Sequence, residues 1–438
     1  MMPSHLSARP DQHWLHRARV PVSLTEGAEL EADAEGLALV DIEIRNGLIA
    51  TLQPAAAEPP ANADHLDGGQ VWPLFVDMHT HLDKGHIWGR APNADGSHGT
   101  AARTVAADRR AHWRFEDVAR RFDFGVRCAV AHGTGALRTH LDSYEIAQAE
   151  TSWAVFGEQR RQWADHIDLQ AVAMARLDAY QGADGARLLD LVAEHGGVAG
   201  GILKSEGPLA PALDHLLQGA AERGLDLDLH VDETHDPNAQ GLRAVAEAVL
   251  RNRFPGTVTC GHCCSLARQS DDDIALTLAR VKAAGLAVVT LPMVNLYLQD
   301  RGTGGTPHWR GLTLVKELRA AGVPVAAASD NCRDPFFAFG DHDGLEVFRE
   351  FVRIAQLDPD WAGWFGAVTR TPAAIMGLAR RGRLAVGLPA DLVLFRGRSM
   401  SELLARPQTD RRVLHRGRDI DTALPDYREL DDLIGAVS

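Results

Sequence analysis

His79-Thr80-His81 sets two imidazoles one residue apart, directly after the apolar, β-prone run Leu74-Phe75-Val76-Asp77-Met78 that Pro73 introduces. Side chains on a strand alternate, so both rings point the same way and can grip one metal ion. The pair alone says little, but three later features repeat its placement. His230, His262 and Asp330 each follow an apolar run of strand length, at residues 225–229, 257–260 and 323–328. A mononuclear hydrolytic site needs three or four protein ligands and one open position for water. His79, His81 and His230 offer neutral nitrogens and Asp330 an anionic oxygen. A divalent ion held this way lowers the pKa of bound water toward ~7. Glu233, three residues after His230, can carry a proton from that water to a ring nitrogen or leaving group. Its competing role is that of an acid at the start of the following helix, alongside Asp232 and Asp236. His262 is either a further ligand or a hydrogen-bonding partner of the attacking water.

These residues need strand ends to carry them, and the chain supplies eight. Strand-like runs at 74–80, 136–141, 169–175, 198–204, 225–231, 257–262, 287–292 and 323–329 alternate with helical patterns. Those patterns cover 115–132, 144–164, 185–195, 210–223, 239–253, 271–284, 312–321 and 344–355. Eight βα units predict an α/β fold, a (β/α)8 TIM-like barrel with chemistry at the C-terminal ends of its strands. The flanks read differently. Residues 39–49 alternate around an Asn46-Gly47 turn, and 387–395 and 412–417 are strand-like. Both chain ends are expected to meet in one small β-sandwich, built from 1–72 and 382–438, beside a barrel at 73–381.

Bulk composition narrows the function classes. The 438 residues are 45% hydrophobic, with no apolar run near the roughly 18 to 20 residues of a membrane span. The polar start, Met1 to Gln12, lacks a secretory core, so a cytoplasmic location is expected. A net charge of −14 argues against a nucleic-acid partner. Cys128, Cys260, Cys263, Cys264 and Cys332 make an odd set with no export signal, which speaks against a disulfide framework. In Cys260-Gly261-His262-Cys263-Cys264 the functional member is expected to be His262, since no second Cys/His pair completes a structural zinc site. Asp83 and Lys84 follow the His-x-His pair as loop charges. Lys204 ends the fourth strand, where a carboxylated lysine could bridge two metals; a plain lysine is expected, and so no second metal there. No interface signal decides for or against a homo-oligomer.

Taken together, the chain resembles the amidohydrolase superfamily, in particular its cytosine-deaminase-like branch. The resemblance runs through Phe75-Val76-Asp77-Met78-His79-Thr80-His81-Leu82-Asp83-Lys84, Leu137-Arg138-Thr139-His140-Leu141-Asp142 and Asp228-Leu229-His230-Val231-Asp232-Glu233-Thr234. It continues in Val258-Thr259-Cys260-Gly261-His262, Asn295-Leu296-Tyr297-Leu298-Gln299 and Ser329-Asp330-Asn331-Cys332-Arg333-Asp334-Pro335-Phe336. It covers some three quarters of the chain. It implies one divalent ion, zinc or iron, on His79, His81, His230 and Asp330. Glu233 would be the proton shuttle, His262 the polarising group, and Asp330 a second acceptor of the water's proton. The implied reaction is hydrolytic deamination of an amino-substituted nitrogen heterocycle, hydroxide attacking a ring C=N carbon and ammonia leaving. A cyclic amide or substituted-amine hydrolase is the alternative, and a non-catalytic binding protein a remote one. Lys84, Arg176, Gln299, Asn331 and Phe336 are the expected substrate contacts. Arg176 stands where cytosine deaminases carry a substrate-reading glutamine. A guanidinium only donates, so cytosine is not expected to be the main substrate; a more oxidised or anionic heterocycle is.

Overall fold

The computed structural model describes residues 11–203, 209–301 and 305–435. Lys204 therefore lies outside the described residues. The chain divides into two compact units. One holds 1–77, 127–136 and 343–425, the other 78–126, 137–342 and 426–438.

Eight strands appear where the alternation predicts them: β1 (Phe75–Thr80), β2 (Thr134–Asp142), β3 (Asp168–Met174) and β4 (Ala199–Ile202), then β5 (Leu227–Val231), β6 (Val258–His262), β7 (Ala287–Thr290) and β8 (Val325–Ala327). Strands β1 to β3 form one sheet, and β4 to β8 a second, parallel one. Parallel bridges Val172–Val198 and Arg176–Ile202 join β3 to β4, and Thr80–Asp330 joins β1 to β8, closing the ring. Their side chains are buried almost throughout, which is why each strand reads as an apolar run rather than an alternation. Among the described residues, no helix is long and apolar enough to cross a membrane.

The other unit is built around an eight-stranded sheet that takes strands from both ends of the chain. Its ladder pairs Gln12–Pro21 with Leu37–Arg45, and Gln70–Pro73 with Leu392–Phe395. Leu15, Val40, Ile42 and Ile44 share one apolar core with Leu392, Leu394 and Leu414. This unit also takes in the helix Gly344–Ala355.

Inside the barrel, Arg138 on β2 and Asp228 on β5 are both buried and joined by a 2.8 Å hydrogen bond from Nη1. Gln170 on β3 accepts from the same guanidinium at 2.9 Å. Burial pushes the Asp228 carboxyl up to about 6, although Arg138 draws it down. Removing one partner of such a pair strands a buried charge. Arg138→Met is expected to destabilise the protein by about 3–5 kcal/mol, measured by urea unfolding at neutral pH; a loss near zero would contradict the pairing.

Candidate active site

The strand ends bring four expected residues to one point. His79 Nε2 lies 3.2 Å from His230 Nε2 and 3.7 Å from Asp330 Oδ1, and His81 Nε2 lies 3.1 Å from the same oxygen. Donors sharing one ion at about 2.1 Å sit about 3.0–3.5 Å apart, so this spacing suits a common metal. Backbone geometry fixes the aspartate. Asp330 N donates to the His79 carbonyl at 2.8 Å, and Thr80 Oγ1 donates to the Asp330 carbonyl at 2.8 Å. Asp330 and His262 both take left-handed backbone angles, φ +66° and +67°, which turn the chain sharply just past its strand.

Protonation states favour a cation. Burial holds the pKa values of His79, His81 and His230 well below that of a free histidine, so each offers a neutral nitrogen. His81 Nδ1 donates to the His140 carbonyl at 3.3 Å, which leaves Nε2 as the lone-pair side facing Asp330. Burial pushes the Asp330 carboxyl up to about 7. Ionising it there calls for a nearby positive charge. Both its carboxylate oxygens, together with His230 Nδ1, are buried without a hydrogen-bond partner. The donor set, three imidazoles and one carboxylate, fits zinc or iron.

Glu233 sits beside this cluster, at 3.6 Å from His262 Nδ1 and 3.4 Å from His98 Nε2. Burial works against its charge, but the two imidazoles outweigh burial and hold its carboxyl well below the usual range. The competing helix role falls to its neighbour. Asp232 accepts from the backbone N–H groups of Gly241 and Leu242, both at 2.9 Å, at the start of the helix Gly241–Asn252. A Cβ at Gly241 would lie 2.5 Å from Asp232 Oδ1, so that capping needs a glycine. Glu233 is left to the cavity. His262 belongs to the same cluster as His79 and His230; Asn295 engages its Nδ1 at 3.0 Å, and its Nε2 is buried without a hydrogen-bond partner.

The remaining expected contacts separate. Lys84, Asn331 and Phe336 line the cavity with the metal-site residues. Lys84 is 4% exposed, its Nζ 4.7 Å above the Phe336 ring. Asn331 donates to Asp334 at 2.7 Å. Arg176 reaches the lining only at its outer edge, where Asp178 binds its guanidinium at 3.0 and 3.1 Å and its side chain is 55% exposed. Gln299 is buried but is not among the lining residues. It caps the short helix Pro292–Leu298, and the residue of that helix that meets the site is Asn295, one turn earlier. The helix His98–His112, absent from the sequence expectation, adds His98, Ala102, Val105, Ala106 and Arg109 to the wall. Arg109 pairs with Asp142 and lies 4.4 Å above the Tyr144 ring, making a further polar wall.

Comparison with known proteins decides the family. A model described as the amidohydrolase family matches residues 197–418. A pterin deaminase of Rhizobium rhizogenes is 53% identical over 406 residues, 92% of each chain. The chain belongs to the amidohydrolase family. An N-isopropylammelide isopropyl amidohydrolase of a Pseudomonas species is 26% identical over 347 residues, 76% of this chain and 81% of that protein. Among solved structures, 5-methylcytosine deaminase from Klebsiella pneumoniae, liganded with 5-fluorocytosine, superposes with a TM-score of 0.79 at 24% identity. That match covers 94% of this amidohydrolase and 98% of that chain. The expected barrel and the expected membership of a hydrolase family acting on C–N bonds are both borne out.

Metal analysis of purified variants separates ligands from the acid–base group. His230→Ala and Asp330→Ala are each expected to lose the ion held at this cluster, whereas Glu233→Gln keeps it. A Glu233→Gln protein stripped of that ion would make the glutamate a ligand instead.

Proposed function

We propose that this amidohydrolase removes the exocyclic amino group of a 2-amino-4-oxo heterocycle of the pterin class. The observation that carries the reading is the 53% identity to a pterin deaminase across nearly the whole chain, on a site where Glu233 lies 3.6 Å from His262, beside the cluster of His79, His81, His230 and Asp330. A pterin also fits the expectation of a heterocycle more oxidised than cytosine, although Arg176, on which that expectation rested, is held by Asp178 at the cavity's outer edge. A flat bicyclic ring suits a cavity walled by Phe336, Tyr144, Val105 and Met174.

A divalent ion on His79, His81, His230 and Asp330 would supply Lewis acidity and make water nucleophilic at neutral pH. The chain's own groups move the protons. Glu233 starts ionised, so it accepts a proton from the attacking water and delivers it to the ring nitrogen beside the reacting carbon. A second proton, passed through Asp330, converts the amino group into departing ammonia. The carbon exchanges its C–NH2 bond for C=O, with one water consumed and one ammonia released. His262, anchored through Nδ1 by Asn295, steadies the oxygen as the carbon becomes tetrahedral. Lys84, a buried residue of the cavity lining, donates to the substrate's oxo group.

An ammonia-release screen of the metal-replete enzyme over pterins, amino-pyrimidines, purines and triazines tests this. Pterins are expected to turn over fastest and cytosine poorly. Release of a substituted amine from an N-alkylated triazine, with no deamination of any pterin, would favour the substituted-amine reading of the same site. Glu233→Gln is expected to lower kcat by about 10²–10⁴-fold without loss of metal. Lys84→Met is expected to raise KM for oxo-bearing substrates by about 10–100-fold, the worth of one charged hydrogen bond. Equal effects on 2-aminopteridines with and without the 4-oxo group would contradict that contact.

A further inference from the structure

The loops leaving β1 and β8 carry a second cluster. His86, Cys332 and His342 are each at most 2% exposed, and one donor atom of each lies within 4.8 Å of the others. Backbone bonds zip the two loops together: His86 N donates to the Cys332 carbonyl at 3.1 Å, and Trp88 N to the Arg333 carbonyl at 2.8 Å. His86 is the informative residue. It is buried, and neither of its ring nitrogens finds a hydrogen-bond partner. A fully buried imidazole left that way is costly unless something else occupies it. Burial, then the neighbouring His342, Arg333 and Arg121, holds its pKa well below the ordinary value, so it offers a neutral lone pair.

The surroundings make room for a cation. The Arg121 guanidinium is neutralised by Asp117 at 2.7 Å and also donates to the Asp83 and Gly85 carbonyls. Arg333 lies 4.3 Å above the Tyr427 ring. A Cβ at Gly125 would come within 2.7 Å of the Leu82 side chain and 3.2 Å of His342 Nε2, so a glycine stands where the ring presses against its helix.

We propose that His86, Cys332 and His342 form a second metal site, for zinc or a similar thiolate-binding divalent ion, that clamps the loops after β1 and β8. One thiolate and two imidazoles are donors zinc favours. Binding releases the Cys332 thiol proton to solvent and involves no redox change. The clamp bears on the catalytic ligands through Thr80. Its Oγ1 bonds the Asp330 carbonyl at 2.8 Å and lies 3.3 Å from His342 Nδ1. Such a clamp would form whatever substrate the enzyme uses.

The test is metal stoichiometry on the full-length chain, saturated with zinc and freed of excess by gel filtration. Two equivalents per chain are expected. Cys332→Ser and His86→Ala are each expected to lose one equivalent, keep one, and melt at lower temperature. Cobalt-substituted wild-type enzyme is expected to show a near-ultraviolet thiolate-to-cobalt charge-transfer band that Cys332→Ser abolishes. A single equivalent in the wild type, two retained in Cys332→Ser, or a thiolate band that survives that substitution would each overturn the proposal. Should the variants fail to fold, the wild-type stoichiometry and cobalt spectrum decide alone, absence of either the second equivalent or the band counting against the site.

Discussion

The closing seam of the barrel, where β1 meets β8, is the constraint on which the site depends. His79 and His81 sit on one side of it and Asp330 on the other. Two hydrogen bonds, from the Asp330 amide to the His79 carbonyl and from the Thr80 hydroxyl to the Asp330 carbonyl, fix their separation. A carboxylate buried among three neutral imidazoles is costly by itself, because burial penalises its charge. The cost becomes useful when a cation shares the cluster. The rigid strand ends then hold the donors close to the spacing an ion wants, and little reorganisation is left for binding.

Glu233 and Asp232 show how neighbouring acids acquire different work. Asp232 spends both oxygens on the backbone of the following helix, while Glu233 faces two imidazoles and the cavity. The division follows from position. A helix start has unsatisfied N–H groups that a carboxylate can serve, and one acid suffices to serve them. The second is left facing the cavity, where His262 and His98 favour its charge.

The convergence of His79, His81, His230 and Asp330 was legible in the sequence because each member ends an apolar run, and strand ends in a barrel converge by topology. All eight strands were legible for the same reason. The helix His98–His112 was not. It buries only Ala101, Val105 and Asp108, so no apolar stripe marks it, yet it supplies His98 and Arg109 to the cavity. The short helix at Pro292–Leu298 follows directly on β7, so the apolar run reads as a longer strand. On that helix it is Asn295, not Gln299, that meets His262. The cluster of His86, Cys332 and His342 leaves no sequence spacing at all, since its members meet only through the seam. Arg176 was visible as a departure from the related deaminases, but its pairing with Asp178 depends on the local loop.

The central claim is convergence of four side chains on one ion in a working deaminase. An anomalous-difference map, collected at the metal edge on crystals shown to release ammonia from a pterin, tests it directly. The account predicts a peak within about 2.2 Å of His79, His81, His230 and Asp330. Active crystals with no peak among those four residues would contradict it.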